Sequence, residues 1–168
     1  DGTPLNAPEK RRAIKGTFRD VVAELSKSKF FENYAGYDNN RYGYEDSIAK
    51  SLHLMITDMG PITPQKIKVT YQTNNKIKIE DDLPASLRKA LKFWEKAFDS
   101  EGVNPKMKKW ATIFLPLVIN EIGNKFEIKG HEKLFAEAYF SLIEKVENER
   151  VLPEDQQDQR TLNFIDAI

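Results

Sequence analysis

The chain has 168 residues, with 26 basic and 26 acidic side chains, two histidines and no cysteine. That length supports one domain with a real core. The charge balance gives no overall pull toward nucleic acid, and the lack of cysteine excludes disulfides, thiolate zinc sites and cysteine nucleophiles.

Charge is nevertheless uneven along the chain. Residues 61–133 carry fourteen basic against nine acidic side chains, and residues 134–168 carry three against eight. A basic middle and an acidic end mark two surfaces, solvated or paired. No apolar run approaches the roughly eighteen residues of a membrane helix. The longest, Ile113 to Ile119, is broken by Pro116. No basic-then-apolar leader opens the chain. The opening Asp1-Gly2-Thr3 is unlike an initiation site, so a fragment of a longer, cytoplasmic protein is expected.

From the N-terminus, Asn6 can cap a helix, Glu9 can return the bond three residues later, and Pro8 suits the first turn. A short helix is expected over Asn6–Lys15, ended by Gly16. Thr17 caps a second, with Phe18, Val21, Val22 and Leu25 on one face. Phe30, Phe31 and Tyr34 form an aromatic knot, and Asp38-Asn39-Asn40 has turn chemistry. A helix from Tyr44 or Glu45 to Met59 carries the stripe Ile48, Leu52, Met55, Ile56 and Met59. Residues 66–80 read two ways. Thr63-Pro64 looks like a helix start, yet Ile67, Val69 and Tyr71 alternate as in a hairpin; the cap favours a helix to about Thr73. Leu83, Leu87, Leu91, Trp94 and Phe98 define a helix over Pro84–Asp99. Asn104-Pro105 opens another, apolar nearly all round from Trp110 to Ile119, expected to be the central buried helix and to bend at Pro116. The last long helix spans His131–Glu149, and Leu162, Phe164, Ile165 and Ile168 suggest a short docking helix. The fold expected is one compact all-α domain of six to eight helices over residues 1–168, with a short hairpin at 66–80 as the variant.

Chemistry-bearing clusters are sparse. His53 and His131 lie far apart, no glycine-rich phosphate loop is legible, and no metal-ligand set converges. Acidic pairs such as Asp81-Asp82 flank helix starts, where they favour the dipole. No cofactor is expected. The best basic cluster is Lys10, Arg11, Arg12, Lys15 and Arg19. On a continuous helix Arg11, Lys15 and Arg19 would form one ridge able to contact phosphates. Lys106, Lys108 and Lys109 beside Trp110 are a second basic candidate. Tyr37, Arg41, Tyr42 and Tyr44 could serve as a stacking platform for bases.

The stretch Leu5-Asn6-x-x-Glu9-Lys10-Arg11-x-Ala13-Ile14-x-Gly16 resembles a recurring motif in the N-terminal family of GmrSD-type restriction proteins. These are prokaryotic defence proteins that attack modified foreign DNA. Thr17–Leu25, Lys29-Phe30-Phe31, Arg41 with Glu45–Ile56, and Leu87–Phe98 are similar as well, most clearly over residues 3–60. In that family the motif opens a helix after a ParB/sulfiredoxin-like core linked to nucleotide hydrolysis and to DNA cleavage or sensing. The core's Asp-Gly-Gln-Gln-Arg signature is absent here, since Thr3-Pro4 follow Asp1-Gly2, and so is the His-Asn-His module. The resemblance therefore implies the helical, non-catalytic part of such an endonuclease/NTPase. Its partners would be an adjoining catalytic domain and DNA, with nucleotide bound only by the parent protein. Asn6, Glu9, Arg11 and Arg12 are the motif positions carried over; capping alone also explains Asn6 and Glu9. The competing reading is a protein–protein interaction domain with no nucleic-acid role, acting through its acidic C-terminal part.

Overall fold

The computed structural model describes residues 3–102, 104–153 and 158. Among these it forms eight α-helices and no strand: α1 (Ala7–Arg12), α2 (Thr17–Leu25), α3 (Lys29–Tyr34), α4 (Gly43–Ile56), α5 (Pro64–Thr73), α6 (Asp82–Glu101), α7 (Lys109–Gly123) and α8 (Glu132–Val151). Among the described residues the fold is thus all-α with eight helices, as the apolar stripes predict.

Helix α6 lies at the centre. Leu87, Ala90, Leu91, Trp94, Ala97 and Phe98 are all buried on it. A stripe this wide needs neighbours on several sides, and alanine at two positions lets them come close. α6 touches α2, α3, α4, α7 and α8. Aromatic rings fix the seam with α8: Phe93 meets Phe135 edge-on at 5.3 Å, Phe98 meets Tyr139 at 5.6 Å, and Trp94 meets Tyr139 at 6.3 Å. Offset and edge-on ring pairs of this kind add to the burial of area itself.

The central place expected for the Trp110–Ile119 helix is therefore corrected. α7 packs on α6 and α4 with Ala111, Thr112, Ile113, Pro116 and Ile119 buried, and Trp110 and Leu115 partly buried against the core. Phe114, Leu115 and Leu117 are half-buried and Val118 is exposed. Pro116 has no N–H to give the carbonyl four residues back. Around it, other donors reach backbone carbonyls: Ser51 Oγ lies 3.0 Å from that of Ile113, and Trp94 Nε1 donates to that of Leu115 at 2.9 Å.

Residues 64–73 form a helix. Thr63 Oγ1 accepts from the Lys66 N–H at 3.3 Å and Pro64 takes the first position. Ile67, Thr70 and Tyr71 are buried while Val69 is half exposed, a helical spacing that strand alternation would contradict. The aromatic knot is the helix α3, whose start is held by Ser28 and by Glu95 of α6, which accepts from the Phe30 N–H at 2.9 Å. Asn104-Pro105 does not begin α7. Instead Met107 joins Ala35 in an isolated parallel bridge, with Met107 N–H donating to Tyr34 at 2.7 Å and Gly36 N–H to Met107 at 2.8 Å. Met59 is 60 % exposed, because the chain turns through positive φ at Asp58 and Met59 rather than continuing α4. The short helix expected around residues 162–168 falls outside the described residues.

Candidate functional site at the amino end of α4

The motif over Leu5–Gly16 closes against the start of α4. The capping box forms as its spacing predicts: Asn6 Oδ1 accepts from the Glu9 N–H at 2.9 Å and Glu9 Oε2 from the Asn6 N–H at 2.7 Å. Glu9 does a second job. Arg41 grips it with Nε at 2.9 Å and Nη2 at 2.7 Å, and the same Nη2 donates to the Pro4 carbonyl at 2.7 Å. The Arg41 hydrogen bond, then that from the Asn6 backbone, pulls the Glu9 carboxyl down to about 2.

One turn further on, Arg11 is buried, 4 % exposed, and pairs with Asp46 of α4. Asp46 holds two more cations on its other oxygen, Lys50 at 2.8 Å and Lys109 of α7 at 2.7 Å. Burial pushes the Asp46 carboxyl up, but the hydrogen bonds from Lys109 and Lys50 outweigh it and hold it below the ordinary range. Beside it Arg12 pairs with Glu45 and lies over the Tyr42 ring, 4.5 Å from its centre. Tyr37 reaches between α4 and α7, its hydroxyl 2.8 Å from both Ser47 and Thr112; burial pushes its phenol up. Both carboxylates are moved down and the phenol up, away from neutrality.

The backbone here is unusual. Arg41 and Tyr42 are consecutive non-glycine residues at positive φ, 54° and 67°. Such conformations cost of order 1–3 kcal/mol each and persist where their surroundings hold them. Here the Arg41–Glu9 pair and the Arg12–Tyr42 contact do so. Tyr42 is also the position before α4, and the Asn39 side chain accepts from the Tyr44 N–H at 3.0 Å in place of a cap.

The expected basic ridge is broken. α1 ends at Arg12, Gly16 turns the chain at φ 140°, and α2 starts on a new axis. Lys10 and Lys15 are exposed and have no side-chain partner among the described residues. Arg19 pairs with its neighbour Asp20 at 2.8 Å. Arg11 faces the interior. The stacking platform is reduced to Tyr42, since Tyr44 stacks on Phe31 at 5.1 Å and Tyr37 is tied to Ser47. The second basic candidate, in contrast, arrives at the same pole: Lys109 joins Asp46 and Lys108 stays exposed. Asp46, Lys50, Ser47 and Thr112 were not singled out by the sequence. The Asp46–Lys50 pair has ordinary helical spacing, but the partners that bring Asp46 and Ser47 into the site, Arg11 and Thr112, lie 35 and 65 residues away.

Among the described residues no three His, Asp or Glu side chains converge as metal ligands. The oxygens of Glu9 and Asp46 are already held by arginine and lysine. His53 is buried within the fold, with Nδ1 2.7 Å from Thr70 Oγ1 and Nε2 3.1 Å from the Pro61 carbonyl. His131 precedes α8 without a side-chain cap bond. Among the described residues no helix is long and apolar enough to cross a membrane.

Family models, curated proteins and solved structures were compared with this chain, and none matches.

Proposed function

We propose that this is the helical, non-catalytic module of a GmrSD-like defence protein, which positions an adjoining nuclease/NTPase domain and contacts DNA phosphates at its cationic pole. The observation that carries this reading is convergence. The four motif residues Asn6, Glu9, Arg11 and Arg12 all engage the Arg41–Asp46 segment, directly or through the capping box. Five cations, Arg11, Arg12, Arg41, Lys50 and Lys109, meet three carboxylates there, Glu9, Glu45 and Asp46. Lys10 and Lys108 add exposed charge in the adjoining sequence. The excess is positive and Arg12 is presented on an aromatic ring, an arrangement suited to phosphate. The interlock also fixes the residues around Pro4 to the helical body, so an adjoining domain would be held rather than tethered.

The test is binding of a fluorescent DNA duplex by anisotropy over a salt series. Lys10→Ala, Arg12→Ala and Lys108→Ala together, with Arg11 left in place, are expected to weaken binding more than tenfold at low salt. The slope of log affinity against log salt should fall by about 2 to 3, since each lost phosphate contact removes roughly 0.9. Unchanged affinity and slope, with helix content retained, would overturn the DNA contact. The competing reading, a protein-interaction domain, draws on one observation: Val118, Phe126 and Leu134 leave apolar surface exposed around α7 and α8.

A further inference from the structure

We infer that the groove between α6 and the α7–α8 connection is a docking site for an acidic, amphipathic helical segment of a partner protein. It is independent of the DNA reading and lies on other residues. The groove encloses about 580 Å³. Its floor is apolar: Ala90, Phe93 and Ile119 are buried, and Ile128 packs beside them. The Ser86 hydroxyl bonds Asn120 at one end and ties the two walls. Gly123 packs closely on the Ile128 side chain, whose tip would lie 3.0 Å from a Cβ at that position.

The rim is cationic. Lys89, Lys92, Lys96 and Lys129 line it and are all exposed. None has a carboxylate partner among the described residues, whereas Lys27, Lys50, Lys109, Lys125 and Lys133 all do. Glu127 and Glu132 are the acidic lining residues, so the rim stays positive. At the lip Phe126 is 68 % exposed, a large apolar side chain with nothing over it among the described residues. A lysine rim above an apolar floor complements a helix with leucines on one face and carboxylates beside them. From Ser86 to Lys96 the α6 wall runs about 15 Å at 1.5 Å per residue, roughly three turns of such a partner.

The probe is a fluorescein-labelled peptide of about 14 residues, with leucines spaced three and four apart and glutamates between them. Saturable binding to the full chain is expected. A peptide of the same composition with its leucines out of helical phase should bind at least tenfold more weakly, as should a version with lysine in place of glutamate. Lys89→Glu with Lys96→Glu should weaken the acidic peptide at least tenfold and strengthen the lysine version. Phe126→Ala should weaken the acidic peptide several-fold. Circular dichroism should be unchanged in each variant, all of whose sites are exposed. Equal binding of the out-of-phase peptide, no effect of the charge reversal, or no saturation by about 1 mM would overturn the proposal. So would a tenfold gain in peptide affinity on Phe164→Asp with Ile165→Asp, which would give the groove to this chain's own C-terminal segment.

Discussion

Removing Asp46 and removing Arg11 should have very different effects, although the two are partners. Asp46→Ala leaves Arg11 with no anion in a setting where it is 4 % exposed. Lys50 and Lys109, 25 % and 41 % exposed, can turn to water, but Arg11 cannot. Stranding one member of a buried pair costs about 3–5 kcal/mol. Arg11→Met leaves Asp46 with both lysines and keeps the volume of the stem. It also removes the Arg11 Nε, which is buried without a hydrogen-bond partner, and an unsatisfied buried donor itself costs about 1–3 kcal/mol. The two effects offset, so Arg11→Met should lie within about 1 kcal/mol of the parent. The double variant should recover most of the Asp46→Ala loss, giving a coupling of about 3 kcal/mol. Urea unfolding followed by far-ultraviolet circular dichroism measures all three. An Asp46→Ala cost below about 1 kcal/mol, or an Arg11→Met cost equal to it, would refute the argument.

Two further outcomes follow from the same geometry. Glu9 is held to about 2 in the folded chain against an ordinary 4.5, so its pairing with Arg41 stabilises the fold above pH 4.5 and is lost as pH falls toward 2; Asp46, also lowered, acts in the same direction. The urea midpoint of Glu9→Gln should therefore lie below the parent's at neutral pH and converge with it on acidification; a gap that widens in acid would contradict the sign. At Gly36 a Cβ would stand 2.2 Å from the Lys106 carbonyl oxygen. Gly36→Ala should cost about 3 kcal/mol by forcing two backbones apart, read as a melting temperature lower by roughly 6–12 °C. An unchanged melting temperature would show that the approach relaxes freely.

Helix existence was legible wherever apolar side chains recur at three and four, as in α2, α4, α6 and α8, although on α8 Leu134 and Leu142 of that stripe stay exposed. Thr63 and Pro64 decided correctly against the alternation of Ile67, Val69 and Tyr71. The rank of helices within the core was not legible. α7 is more apolar than α6, yet α6 is central, since composition records what could be buried and topology decides what is. The cap at Asn6 and Glu9 could be read from spacing. The use of Glu9 by Arg41, of Asp46 by Arg11 and Lys109, and of Ser47 by Thr112 could not, because each partner arrives from a distant part of the chain. The five-residue basic cluster failed as a ridge for a local reason: Gly16 separates Arg12 from Thr17 and resets the helical phase.

The bridge between Ala35 and Met107 bears on how the chain reaches this fold. It joins residues 72 apart in sequence (107 less 35) through a few backbone hydrogen bonds. Closing so long a loop is entropically costly until α3, α4 and α6 have already drawn its ends together. The bridge is thus expected to form on the native side of the folding barrier. In kinetic terms Gly36 is a position where a substitution should quicken unfolding and leave the refolding rate nearly unchanged, so the α3–α7 junction governs how long the folded molecule persists rather than how fast it forms.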